Sequence, residues 1–138
     1  MKFVLILSLF SLLSACSNTY IIEEQPLQEG RLPLSNTQVT IPGLGSCTDS
    51  KDRTIKFNTN QPMTILVHGC NGSAGRFRSL AQLYAFHGQQ AACYSYDDRD
   101  SLVKSADNLV TVINKLSSIM KNKDISIVGH SMGGLIAR

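Results

Sequence analysis

A chain of 138 residues, 43% hydrophobic and 17% charged, is long enough for one domain with a buried core and too short for two of ordinary size. Its 13 basic and 10 acidic residues leave a formal net charge of +3, scattered and without a Lys/Arg run, which excludes nucleic-acid binding as a reading. Its 4 cysteines and 3 histidines show neither C-x-x-C spacing nor a histidine pair, so no metal and no other cofactor is expected.

Residues 1–15 place Lys2 ahead of an apolar run from Phe3 to Leu13 and end in Ser14-Ala15 before Cys16. The run is too short to span a bilayer as a mature helix and has the layout of an export signal. Small residues directly before a cysteine resemble the lipobox of bacterial lipoproteins, in which the cysteine becomes the diacylated N-terminal residue. That resemblance implies a signal peptide over residues 1–15, lipid on Cys16 and attachment to a membrane. Ser17, rather than an aspartate, then points to the outer membrane, facing the periplasm. Residues 16–50 read as a lipid-anchored tether, with Pro26, Pro33 and Pro42 among Ser, Thr, Asn and Gln and room for a short strand over residues 38–41. Gly43-Leu44-Gly45 follows no convincing strand and lacks a third glycine, so no phosphate loop is expected. With Cys16 carrying lipid, Cys47, Cys70 and Cys93 allow one internal bridge and leave one thiol, and the sequence does not choose the pair. Cys93, in an apolar run over residues 91–96, reads as a small packing residue.

From residue 51 onward strands and helices alternate. Residues 53–58 have the period of a half-exposed strand, and Asn60-Gln61-Pro62 turns the chain into an apolar run over residues 63–67. Residues 71–75 form a loop, its Asn71-Gly72-Ser73 sequon a plain turn. Ser73 is placed to cap a helix running to about His87, with Phe77, Leu80, Ala81 and Tyr84 as core face and Gly88 as stop. A second helix carries Leu102, Ala106, Leu109, Ile113, Leu116 and Met120 at alternating four- and three-residue steps, capped by Ser101 or Asp100. Residues 121–124 end it, and residues 125–128 read as a short buried strand, at the edge of the sheet. The order strand, helix, strand, helix, strand predicts a mostly parallel sheet with flanking helices and right-handed crossovers.

That last strand runs into Gly129-His130-Ser131-Met132-Gly133, a G-x-S-x-G turn with a helix start behind it. Glycines two before and two after the serine allow strand and helix to approach, and the sharp turn holds the Ser131 hydroxyl clear of the sheet. Upstream, Thr64-Ile65-Leu66-Val67-His68-Gly69 is a strand leading into a His-Gly loop. On these two motifs residues 53–138 resemble the N-terminal half of an α/β-hydrolase of the lipase and esterase branch. The resemblance implies a partial α/β-hydrolase fold over residues 51–138, ending just after the nucleophile elbow. It also implies acyl-enzyme chemistry on carboxylic esters or lipids, with Ser131 as nucleophile and the backbone N–H groups of Cys70 and Met132 as oxyanion donors. The family supplies its acid and its histidine base after later strands, beyond Arg138. The expectation is therefore a portion without them, inactive by itself. A non-catalytic envelope lipoprotein and a truncated gene product are the alternatives.

The remaining polar residues have local readings. His68 shapes the oxyanion loop, His87 ends a helix, and His130 packs or hydrogen-bonds with its side chain turned away from Ser131. Asp97, Asp98 and Asp100 around Arg99 read as helix caps and a local ion pair.

Overall fold

A computed structural model describes residues 32–138; the expected signal peptide and Cys16 lie outside the described residues. In chain order the elements are β1 (Thr37–Val39), β2 (Leu44–Gly45), β3 (Ile55–Phe57), β4 (Met63–Val67), a 3-10 turn (Ala74–Phe77), α1 (Arg78–Phe86), β5 (Gln90–Tyr94), α2 (Leu102–Ile119), β6 (Ile125–Gly129) and α3 (Met132–Ile136). The main sheet has the order β2-β5-β4-β6. β4 is parallel to both neighbours, and its Val67 is in register with Tyr94 of β5 and Gly129 of β6, so the three strands finish at one level.

The central strands are apolar on both faces because both faces are covered. Ile65, Val67, Ala92 and Tyr94 meet Leu109, Val112, Leu116 and Met120 of α2 and its end, and Ile136 of α3. One residue along, Leu66 and Cys93 point the other way and meet Cys47 and Ala74, with Phe77, Leu80, Ala81 and Tyr84 around them. The result is a helix–sheet–helix sandwich, an α/β fold in which each fully buried leucine contributes on the order of 2 kcal/mol.

α2 begins where expected. Ser101 Oγ accepts from the Lys104 N–H at 3.4 Å, and Asp100 pairs with Lys104 at 2.5 Å. The hydrogen bond from Lys104 holds the Asp100 carboxyl below the usual carboxylate range. Of the stripe drawn from the sequence, Leu109, Leu116 and Met120 are buried and Ala106 and Ile113 pack against the core; Ser105 and Val112 join this buried face, while Leu102 is 43% exposed. Leu102 is the first residue of α2, at the end of the stripe. The expected cap of the preceding helix also fails: Ser73 makes no side-chain cap bond, and Asp49 Oδ1 accepts from the Gly75 N–H at 3.0 Å instead. Phe77 belongs to the 3-10 turn, and α1 proper ends before Gly88, whose φ is +74°.

The expected tether needs the larger correction. β1 pairs antiparallel with β3 in a separate two-stranded sheet, and β2 pairs antiparallel with β5. Ile41 and Leu44 are 3% and 0% exposed. Folded structure therefore starts well before residue 51. Cys47 and Cys93 are bridged, with Cα atoms 5.0 Å apart across 46 positions, so Cys93 is no lone packing residue; Cys70 is the free, exposed thiol. The Arg53 guanidinium reinforces this corner, donating to the carbonyls of Ser46, Thr48 and Cys93 and to Ser95 Oγ. β6 is a sheet edge as expected, but not a buried strand: Ile125 and Ile127 face the core while Ser126 and Val128 are exposed. Among the described residues no helix is long and apolar enough to cross a membrane.

Candidate active site

Because β4 and β6 end at one level, the loops that leave them meet. Ser131 stands between β6 and α3 with φ 53° and ψ −122°, in the positive-φ region that side chains rarely occupy. The turn is tied down by Gly133 N–H to His130 O at 2.9 Å and Gly134 N–H to Ser131 O at 2.9 Å. A Cβ on Gly133 would lie 2.3 Å from Val67 O and 2.5 Å from His68 O, and one on Gly129 would lie 2.5 Å from Gly133 O. Only glycine permits α3 to start this close to the sheet.

The His-Gly loop comes against this turn. A Cβ on Gly69 would lie 3.0 Å from Ser131 Cβ and 2.9 Å from His130 O, so the first side-chain atom of Ser131 rests where Gly69 has none. The next residues are held from the β5–α2 connection. Tyr96 Oη donates to His68 O at 2.6 Å, and its ring stacks on the His68 imidazole at 4.3 Å between centroids. Asp98 Oδ2 accepts from the N–H of Asn71, which has φ 53°. Asp98 is thus a clamp on the loop rather than a helix cap. Burial first, then the charge of Asp98, pushes the Tyr96 hydroxyl up to about 12. The Cys70 N–H, between Gly69 and Asn71, and the Met132 N–H donate to no protein acceptor among the described residues.

His68 is 4% exposed, its Nδ1 donating to Gly69 O at 3.0 Å, which fits a loop-shaping role and leaves it off the surface. His130 differs from expectation: it is exposed and lines the cleft beside the loop, with Nδ1 3.2 Å from the Gly69 Cβ position. The cause is that the turn presents the residue before the serine to the same opening. No histidine nitrogen bonds Ser131 among the described residues. Asp97 accepts from the Arg99 N–H, and the ion pair of Asp100 is with Lys104, not Arg99. Among the described residues no side-chain cluster is suited to a metal ion.

The cleft over the loop encloses about 490 Å³. Two of its walls, Arg76 and Phe77 from the 3-10 turn, escaped the sequence reading. The helical spacing of Phe77 marks only its core side, which packs as expected, and an exposed arginine leaves no periodic signal.

A mostly parallel sheet with β4 between β5 and β6, covering helices and a glycine-flanked serine on the turn after β6 define an α/β protein of hydrolase type. The chain belongs to the family described as "Alpha/beta hydrolase of unknown function (DUF900)", whose model matches residues 52–138. No curated protein and no solved structure matches it.

Proposed function

We propose that this protein is a serine hydrolase of carboxylic esters or lipids, held on the periplasmic face of the outer membrane by lipid on Cys16. The observation that carries the catalytic part is the seating of Ser131 against Gly69, beside the unengaged N–H groups of Cys70 and Met132. In the reaction Ser131 Oγ attacks the acyl carbon and the carbonyl oxygen becomes an oxyanion, which accepts from those two N–H groups. The Ser131 proton passes to a histidine that the family supplies after later strands, and the same histidine protonates the departing alcohol. Water then hydrolyses the acyl-serine. A non-catalytic binding module is the second reading, favoured by the lack of any described histidine bonded to Ser131.

One experiment separates them. The protein expressed from its natural gene is treated with a serine-directed fluorophosphonate and assayed on short-chain nitrophenyl esters. The hydrolase labels at Ser131 and turns the esters over, and Ser131→Ala abolishes the label and lowers turnover by about a thousandfold or more. Absence of both in the unsubstituted protein supports the binding module. The anchor is tested by Cys16→Ser, which is expected to stop lipid labelling and cleavage of the precursor. Unchanged processing and detergent partitioning would remove the lipoprotein from the proposal.

A further inference from the structure

Resting on the hydrolase reading, we propose that Arg76 determines specificity in this cleft and that the ester it takes carries an anionic group, a carboxylate or a phosphate, beside the oxyanion loop. Arg76 lies on the 3-10 turn that walls the cleft, is exposed, and its guanidinium makes no ion pair or hydrogen bond among the described residues. The cleft lining contains no carboxylate. The acids of the neighbouring segments are engaged on backbone: Asp49 with the Gly75 N–H and Asp98 with the Asn71 N–H. Asp49 therefore fixes the turn from which Arg76 projects and leaves the guanidinium unpaired.

An unpaired, planar, permanently charged fork at the wall of a concave site is suited to two-point recognition of a carboxylate or phosphate. A neutral ester offers it only a carbonyl acceptor, whereas an anionic one gains a stronger, charge-assisted contact within the cleft lined by the His68–Gly72 loop and His130. Phe77, next to Arg76 on the wall, supplies the apolar surface for the rest of the ligand.

The test is binding, so that it does not depend on turnover. The natural gene product carrying Ser131→Ala is titrated with two matched pairs: monobutyl succinate against its methyl ester, and 1-butyryl-glycerol 3-phosphate against 1-butyryl-glycerol. In each pair the anionic member is expected to bind roughly tenfold tighter. Arg76→Gln should erase the difference, and Arg76→Lys should keep part of it, with an unchanged melting transition as control. A preference in one pair alone identifies the anion as carboxylate or phosphate. Equal affinity within both pairs, a preference that survives Arg76→Gln, or no binding by any probe overturns the assignment. Turnover by the unsubstituted protein is measured in parallel, so loss of the hydrolase reading is seen separately from loss of the anion preference.

Discussion

At the residue scale, Gly133 and Gly134 make a matched comparison. A methyl on Gly133 meets Val67 O at 2.3 Å, whereas one on Gly134 has nothing nearer than Gly129 O at 3.7 Å. Gly133→Ala must push α3 away from the end of β4, at a cost of about 1–3 kcal/mol, and carries the Met132 N–H with it. Gly134→Ala should be neutral or mildly stabilising within its short helix. Urea unfolding of the two variants checks this, and equal midpoints would mean that the elbow does not sit against β4 as described. Tyr96 gives a second, pH-resolved test. Its folded value of about 12 lies above the ordinary 10.0, so the folded state holds this proton more tightly than the unfolded chain. The stability it contributes is complete below about pH 10 and is lost as pH rises toward 12. Tyr96→Phe should lower stability at neutral pH, through loss of the bond to His68 O, and flatten the alkaline decline. A smaller decline should remain from Tyr94, whose hydroxyl burial also raises.

At the scale of elements, the site loop is positioned by the connection after β5 as much as by its own strand. Asp98→Ala frees the N–H of Asn71 and the strained turn next to Cys70, and should slow fluorophosphonate labelling of Ser131 about tenfold while the fold persists. Asp98→Asn keeps an acceptor and should recover part of the rate; equal slowing by both variants would point to charge rather than loop geometry. The Cys47–Cys93 bridge spans 46 positions, for which chain entropy alone predicts about 4 kcal/mol of stabilisation. Reduction, or Cys47→Ala, is expected to lower unfolding free energy by about 2–4 kcal/mol. Neither contact was legible beforehand. The bridge depends on β2 lying along β5, and a two-residue strand has no period to read. The elbow and the Gly69 loop were legible because close backbone approach leaves glycines at set positions. Arg76 and the Asp98 clamp were not, since exposed residues acquire meaning only from what the fold brings beside them.

At the scale of the whole molecule, β6 is the outer strand of the sheet among the described residues, with Val128 37% exposed and Leu135 of α3 61% exposed. An apolar run does not report how many neighbours it will have, which is why burial was expected where the described residues show half-exposure. Such an edge invites pairing with another chain. The 138-residue chain is therefore expected to self-associate as its concentration rises, and sedimentation that stays monomeric throughout would count against an open edge. The strand order carries one more consequence, in time rather than space. β4 lies between β5 and β6, yet it precedes both along the chain. During synthesis the loop of His68 and Gly69 can take shape against β5 and Tyr96 while Ser131 has still to emerge from the ribosome. Of the described strands, β6 is the last to arrive, and only its docking brings Ser131 to Gly69. A nascent chain short of that strand has the loop but no nucleophile opposite it, so assembly itself keeps the serine away from the loop until the described sheet is complete.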